Sequence, residues 1–162
     1  MVSSVYLIRH GETAWSRSGR HTGRTEIPLS EQGERNAGRL SGPLSRVGFS
    51  AVLTSPRQRA RRTCELAGLG DGSRIDPDLA EWDYGDYEGL TSAEILKARP
   101  GWLLFRDGCP GGESPDQVGT RADRLIARLL LDTASYGVLA HEHGSPSAPV
   151  IAAWNVVPPA AG

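Results

Sequence analysis

An arginine and a histidine stand side by side directly after a short apolar run near the start of the chain. The run Val5 to Ile8 predicts a buried strand, and Arg9, His10 and Gly11 follow it. Ligands of open α/β sheets gather beyond the carboxyl ends of the strands, so these side chains should face a pocket. An imidazole can attack a phosphorus atom while a guanidinium holds the phosphate oxygens. The position of Arg9 and His10 therefore indicates phosphate chemistry.

Two later segments carry further charged side chains. A second apolar run, 51–54, precedes an arginine-rich segment, Ser55 to Thr63, and an acidic and aromatic segment, Glu81 to Gly89, comes next. Together with the stretch around His10, they resemble three motifs of the histidine phosphatase superfamily in the family's order. The resemblance covers roughly residues 2 to 130. This family contains cofactor-dependent phosphoglycerate mutases and many small acid phosphatases.

The resemblance implies a role for three residues at the phosphoryl group. His10 matches the histidine that becomes phosphorylated, and Arg9 and Arg59 match the two arginines that clamp the phosphate oxygens. Planar, permanently charged guanidinium groups suit that task. The same arginines disfavour the imidazolium form of His10, and attack on phosphorus requires the neutral ring.

Glu81 matches the family's proton donor for the leaving oxygen. We expect Trp82 or Tyr84 to desolvate its carboxyl group partly, which would raise its pKa and allow it to act as an acid and then as a base. A surface glutamate ahead of an aromatic turn is the simpler alternative for this residue.

Four positions match family residues that contact the substrate. They are Ser16, Thr22, Gly23 and Tyr84. Mutases usually carry an asparagine where Ser16 stands, and the serine keeps a hydrogen-bond donor there. Thr22 and Gly23 belong to a loop over residues 21–26, and His21 is interpreted as a residue of that loop rather than a second catalyst.

The C-terminal part departs from the family's pattern. Members carry a second essential histidine in a His-Gly motif, at a point where a buried strand turns into a helix. In one register, His143 and Gly144 are that motif. Pro149 would then lie inside the following helix, where proline is unfavourable.

A second register assigns segment 131–155 to the terminal β-hairpin of the family's small phosphatases, and we favour this register. His141 and His143 are then structural. The strand and helix that bear the second histidine would be missing between Leu131 and Asp132, and the activity of the protein would be in doubt.

Strand and helix patterns alternate along the chain. Capping residues and helical spacing predict four helices, which begin after Ser30, near residue 57, at about Ser92 and after Ser114. Gly48 and Pro100 end the first and third of these. Such alternation predicts an α/β fold, a three-layer α/β/α sandwich with a mainly parallel sheet. We predict one domain over residues 1–162.

Composition limits the kinds of molecule that the chain is expected to bind. Its 162 residues include 18 basic and 19 acidic side chains, a net charge of −1, so no general attraction to nucleic acid or membranes is expected. The arginines from Arg57 to Arg62 could form an RNA-binding patch, but no aromatic residues interleave with them. Cys64 and Cys109 lack metal-ligand spacing and are interpreted as reduced thiols. No secretion signal or membrane span is recognisable, so a cytoplasmic protein is expected and homo-oligomerisation is left open.

Two enzymatic activities fit the site residues. Mutases of the family carry extra basic residues after the acidic motif, whereas here no lysine or arginine follows Glu88 before Lys97. This favours a phosphate monoester hydrolase that acts through a phosphohistidine intermediate on a small phosphorylated metabolite. A mutase-type phosphotransferase and a catalytically impaired protein that binds a phosphorylated ligand are the alternatives. Arginines supply the positive charge, so no cofactor and no metal are expected.

Overall fold

The computed structural model describes residues 5–129, 136–141 and 149–156. Residue contacts divide the chain into two units, namely Arg9–Leu125 and the combination of Met1–Ile8 with Ile126–Gly162. The helices of the described residues are α1 (Ala14–Arg17), α2 (Glu31–Arg39), α3 (Ser41–Leu44), α4 (Gln58–Leu66), α5 (Ser92–Ala98), α6 (Leu104–Asp107) and α7 (Pro115–Leu129). The strands are β1 (Leu53–Thr54), β2 (Arg74–Ile75), β3 (Tyr136–His141) and β4 (Pro149–Val156), and two short 3-10 helices cover Pro77–Leu79 and Gly85–Tyr87.

The parallel pair β1 and β2 carries the α/β character of the larger unit. Leu53 lies opposite Arg74 and Thr54 opposite Ile75, with α4 as the crossover between the two strands. A parallel pair needs such a crossover, and a helix is its usual form. The β1–α4–β2 unit therefore places the start of α4 directly after a strand end, as the sequence predicts.

The strand predicted for Val5–Ile8 is not formed. None of these residues lies in a regular element, and Tyr6, Leu7 and Ile8 are 53%, 63% and 44% exposed. A strand needs a neighbour for its backbone N–H and C=O groups, and no described strand pairs with this segment. An apolar run alone was therefore not enough to predict a buried strand.

Local capping signals mark the starts of three helices. Ser30 Oγ accepts a hydrogen bond from a backbone N–H in the first turn of α2. Thr91 and Glu94 form a reciprocal capping box at α5. Ser114 and Gln117 exchange two such bonds at α7, at 3.2 and 2.8 Å. These pairings satisfy N–H groups that have no partner within the helix, and they confirm the helix starts predicted from the sequence.

The helix predicted between Ser30 and Gly48 is divided into two. α2 ends at Arg39, and α3 begins at Ser41. Pro43 has no N–H to donate to the carbonyl four residues earlier, so one continuous helix cannot form across this position.

Two tryptophans form the centre of the hydrophobic core of the larger unit. Trp82, Ile95, Trp102 and Cys109 are each less than 8% exposed and pack together. The indole N–H of Trp82 donates to the Glu113 carbonyl at 3.0 Å. Buried indoles need such a partner. The core therefore lies directly behind the acidic and aromatic segment that begins at Glu81.

The other unit contains an antiparallel pair of strands. β3 pairs with β4, from Tyr136 opposite Val156 to His141 opposite Pro149. Both strands lie within the 131–155 segment predicted as a hairpin, apart from the last residue of β4. The turn, with His143, lies outside the described residues, and the prediction of one domain over 1–162 stays a prediction. Among the helices described, none has the length and apolar character needed to cross a bilayer.

Replacing Ile95 by alanine should destabilise the larger unit strongly. Ile95 is 1% exposed, and truncating such a side chain typically costs about 2–5 kcal/mol in the free energy of unfolding. Leu96 is the matched control, because it lies next to Ile95 on α5 but is 41% exposed. Leu96→Ala should change stability by at most about 0.5 kcal/mol. If urea unfolding gave equal losses of unfolding free energy for the two variants, Ile95 would not lie in the core.

Candidate active site

The His10 ring is oriented by a hydrogen bond to the backbone. Nδ1 lies 2.7 Å from the carbonyl oxygen of Gly11. Because a carbonyl can only accept, Nδ1 carries the proton, and in the neutral ring Nε2 keeps a free lone pair. Burial lowers the pKa of His10, and Arg59 and Arg9 lower it further, while the bond to Gly11 and the charge of Glu81 act in the opposite direction. The neutral, nucleophilic form is thus favoured.

The backbone after His10 is anchored to α4. Gly11 N–H donates to Thr63 Oγ1 at 2.9 Å, and that hydroxyl donates to the Arg59 carbonyl at 2.8 Å. Thr63 and Arg59 lie one turn apart on α4. The helix that carries Arg59 therefore also fixes the loop that carries His10.

Arg59 is buried, and backbone carbonyls accept its hydrogen bonds. It is 1% exposed, and its guanidinium donates to the carbonyls of Thr22, Gly23 and Thr25 at 2.8, 3.0 and 3.1 Å. Burial lowers the pKa of Arg59, and the charge of Glu81 opposes that shift. These bonds use three of the five N–H donors of a guanidinium. The arginine is thereby held rigidly while it keeps its charge and further donors.

Glu88 holds the same loop from its other side. Its carboxylate accepts from the backbone N–H groups of Gly23, Arg24 and Thr25 at 2.7, 2.9 and 3.3 Å. Burial tends to raise the pKa of Glu88, but the hydrogen bonds from Thr25 and from these N–H groups outweigh it, so the pKa is lowered. The role of Glu88 was not predicted from the sequence, because no local pattern shows that it binds a loop more than sixty residues earlier.

The substrate-binding role predicted for Gly23 and Thr22 stays a prediction. The N–H and C=O of Gly23 are both used inside the protein, and a Cβ at this position would approach the carbonyl oxygen of Trp82 to 2.1 Å. The Thr22 hydroxyl donates to the Arg20 carbonyl at 3.1 Å. Close backbone packing therefore requires glycine at position 23.

Glu81 is exposed, which corrects the expectation that aromatic rings desolvate it. The indole N–H of Trp82 donates to the Glu113 carbonyl, so the ring packs in the core instead of desolvating Glu81. One carboxylate oxygen of Glu81 accepts from the Trp82 backbone N–H at 2.9 Å. The charge of Glu81 acts to raise the pKa of His10 and of Tyr84. Its electrostatic influence thus reaches both residues.

Tyr84 and His21 form a small aromatic wall. Their ring centroids are 4.5 Å apart with the planes 30° from parallel, and the edge of Trp102 meets His21 at 5.8 Å. Burial raises the pKa of Tyr84, so its hydroxyl keeps its proton, and burial lowers the pKa of His21. His21 Nε2 lies 3.2 Å from the Ser92 hydroxyl. His21 lies outside the helices and strands, as interpreted from the sequence, whereas this aromatic packing was not predicted.

Ser16 is hydrogen-bonded within the protein, whereas Arg9 is exposed. The Ser16 hydroxyl accepts from the Thr13 N–H at 2.9 Å and donates to the Thr13 carbonyl at 3.1 Å, so it belongs to the cap of α1. Arg9 is exposed, and its charge lowers the pKa of His10. The catalytic and binding roles of these two residues stay predictions. In the described part of the chain, no group of three or more His, Cys, Asp or Glu side chains is arranged to hold a metal.

Comparison with known proteins decides the family. The profile of the histidine phosphatase superfamily (branch 1) matches residues 5–162. The chain belongs to this superfamily. A solved structure of the open reading frame Rv3214 from Mycobacterium tuberculosis has a TM-score of 0.70 and 34% identity, and it covers 91% of this chain and 94% of that one. The fold class predicted from the sequence is confirmed by this likeness.

Two relatives carry phosphatase names. An acid phosphatase from Mycobacterium tuberculosis is 46% identical over 161 residues, which are 98% of this chain and 78% of that protein. Sedoheptulose 1,7-bisphosphatase from Saccharomyces cerevisiae is 40% identical over 147 residues, which cover 76% of this chain and 54% of that protein. The chain thus spans about half the length of the yeast enzyme.

The alignment with the acid phosphatase bears on the second histidine. Its 161 positions use 98% of the 162 residues of this chain, so it has no room for a gap that could hold a strand and a helix. The prediction of a missing segment between Leu131 and Asp132 has no support from this alignment and stays a prediction. The pairing of β3 with β4 fits the predicted hairpin, and β4 is a strand at the place where the His-Gly register needs a helix. The role of His143 stays a prediction.

A methyl group at Gly33 should disturb the His10 loop, whereas one at Gly38 should not. A Cβ at Gly33 would approach the Glu12 carbonyl oxygen to 2.2 Å, while a Cβ at Gly38, on the same helix, meets nothing within 4 Å. We expect Gly33→Ala to lower both the melting temperature and any activity that depends on His10. Gly38→Ala should stabilise by about 0.5–1 kcal/mol, because alanine favours helix. Thermal melts of both variants test this, and a harmless Gly33→Ala would contradict the packing.

The hydrogen bonds of Glu88 predict a pH-dependent contribution to stability. Because its pKa is lowered in the folded protein, the ionised carboxylate stabilises the fold above its ordinary pKa, and this is lost as the pH falls through the lowered value. Glu88→Gln should therefore lower the melting temperature at neutral pH, and the difference from wild type should narrow in acid. Glu31, whose side chain is 94% exposed, provides the control. A difference in melting temperature that does not vary with pH would show that the ionised Glu88 carboxylate does not stabilise the loop.

Proposed function

We propose that this chain is a phosphate monoester hydrolase that works through a phosphohistidine on His10. The observation that supports it most directly is the bond between Nδ1 of His10 and the Gly11 carbonyl, which leaves Nε2 available for attack. The relatives named acid phosphatase and sedoheptulose 1,7-bisphosphatase support hydrolysis as the outcome. The residues of this chain supply the chemistry in two steps.

In the first step, Nε2 of His10 attacks phosphorus and the bond to the ester oxygen breaks. Arg59, with Arg9, stabilises the charge on the equatorial oxygens. Protonated Glu81 gives its proton to the leaving oxygen, so a neutral alcohol departs. The phosphoryl group remains on Nε2, and Glu81 is left as a carboxylate.

In the second step, water replaces the alcohol. Ionised Glu81 takes a proton from water, the oxygen of that water attacks phosphorus, and the bond between phosphorus and Nε2 breaks. Inorganic phosphate leaves, and both His10 and Glu81 return to their starting forms. The exposure of Glu81 gives water direct access to its carboxylate.

This mechanism predicts activity on the acidic side of neutrality. The first step needs neutral His10 together with protonated Glu81. Because the pKa of His10 is lowered, the ring stays neutral further into acid than an ordinary histidine does. The range in which both conditions hold is thereby extended toward acid.

The substrate class we propose is a small phosphorylated metabolite. The Tyr84–His21 wall offers aromatic faces and the protonated Tyr84 hydroxyl, which suit the non-reacting end of such a molecule. Thr22 and Ser16 are further candidates for contact with it. The roles of His141 and His143 are tested by the variants below.

Histidine variants test the proposal. Wild type should hydrolyse p-nitrophenyl phosphate, and His10→Ala should lower kcat by at least about 10³-fold, because the nucleophile is lost. His141→Ala is the control and should keep the wild-type rate. His143→Ala should lower the rate as deeply as Glu81→Ala if His143 is the second histidine. Wild type that binds phosphate but turns over no ester would instead identify a protein that only binds phosphorylated ligands.

Activity should not require a metal, because arginines carry the positive charge. Addition of EDTA should leave the rate of p-nitrophenyl phosphate hydrolysis unchanged. Loss of activity with EDTA and its recovery with magnesium would contradict the mechanism. Transfer of the phosphoryl group to an added phosphorylated acceptor in preference to water would identify a mutase-type transferase.

A further inference from the structure

Arg121 and Glu113 form a two-point ion pair outside the phosphoryl site. Arg121 Nε and Nη2 donate to the two oxygens of Glu113 at 2.8 and 3.0 Å. The side chains are 12% and 22% exposed, so the pair is largely removed from solvent. Glu113 stands just before α7, and Arg121 lies on that helix. The proposed mechanism gives neither residue a role.

The pair also binds the backbone on both sides of Glu81. Before Glu81, Arg121 Nη1 donates to the Ala80 carbonyl at 2.7 Å and to the Asp78 carbonyl at 3.1 Å. After it, the Asp83 N–H donates to the Glu113 carboxylate at 2.9 Å. The Asp83 carbonyl accepts from the Glu113 N–H at 2.9 Å.

The Glu81 side chain is left outside this network. It is exposed, and its carboxylate accepts from the Trp82 N–H. A residue with a fixed backbone and an accessible carboxylate is suited to proton transfer at a defined place, because misplacement by about 1 Å can cost 10²-fold in rate.

We propose that Arg121 and Glu113 are positioning residues that hold Glu81 for proton transfer to the leaving oxygen. This inference rests on the proposed function, in which Glu81 is the proton donor. The lowered pKa of Glu113, caused first by its hydrogen bonds to Arg121, keeps the pair ionised. Each residue acts through the backbone of the 80–83 segment and touches no reacting atom.

The requirement for a proton donor depends on the leaving group. An alkoxide from glycerol phosphate needs a proton to depart, whereas dinitrophenolate leaves without one. Comparing kcat/KM for glycerol 2-phosphate and 2,4-dinitrophenyl phosphate therefore isolates the acid step, since kcat/KM does not include breakdown of the phosphohistidine. A purely structural ion pair would affect both esters equally.

Arg121→Gln should lower kcat/KM for glycerol 2-phosphate about 10- to 100-fold and leave the dinitrophenyl ester close to wild type. Arg124→Gln is the matched control, because Arg124 lies on the same helix and pairs with the Asp78 carboxylate at 2.8 Å, outside the 80–83 segment. It should leave both values unchanged. Arg121→Lys keeps the charge but not the two-point geometry, so it should show a smaller loss on the same ester, and it serves if Arg121→Gln does not fold.

The outcomes separate this inference from the proposed function. Glu81→Gln should show the same selective loss, about 10²- to 10⁴-fold. If Glu81→Gln is selective but the Arg121 variants lower both esters equally or not at all, the positioning role is overturned and the proposed function stands. If Glu81→Gln is not selective, or wild type hydrolyses neither ester, the proposed function fails and this role fails with it.

Discussion

A buried guanidinium needs hydrogen-bond acceptors, and the acceptors chosen for Arg59 determine much of the architecture around it. Loop carbonyls from Thr22 to Thr25 accept its N–H groups, and no carboxylate forms an ion pair with it in the described part of the chain. Carbonyl dipoles offset part of the desolvation cost without cancelling the charge. A carboxylate partner would have neutralised the charge that a phosphoryl group requires. The loop therefore lets Arg59 be rigid and still positive.

That loop is stable only because its N–H groups are satisfied as well. They point to Glu88, so one negative and one positive side chain hold opposite sides of the same backbone. At its centre Gly23 packs against the Trp82 carbonyl, so the loop also contacts the segment that carries Glu81. The arginine, the loop and the acidic segment thus depend on one another, and a change in one should be felt by the others.

The sequence predicted those parts of the molecule that local chemistry controls. Ser30 and Ser114 mark helix starts, because a capping side chain bonds within its own first turn. Motif residues such as His10 and Arg59 could be found, because their neighbours in sequence are part of the pattern. The prediction of a strand at Val5–Ile8 was wrong, since burial depends on a pairing partner that no local pattern reveals.

Long-range contacts explain the features that were not predicted. Glu88 and the Arg121–Glu113 pair bind backbone groups tens of residues away, so their side chains resemble ordinary surface charges in the sequence. The environment of Glu81 was misjudged for the same reason, because the neighbouring indole finds its acceptor at Glu113, on the side of the core.

The exposure of Glu81 also bears on the choice between hydrolysis and transfer. An enzyme that moves a phosphoryl group between two organic molecules must keep water away from the phosphohistidine, because water competes as the acceptor. Here the carboxylate that would activate an acceptor is open to solvent, while its backbone is held in place from both sides. A fixed carboxylate that is accessible to solvent suits water as the acceptor. This arrangement supports the proposed hydrolase on physical grounds that do not depend on the names of its relatives.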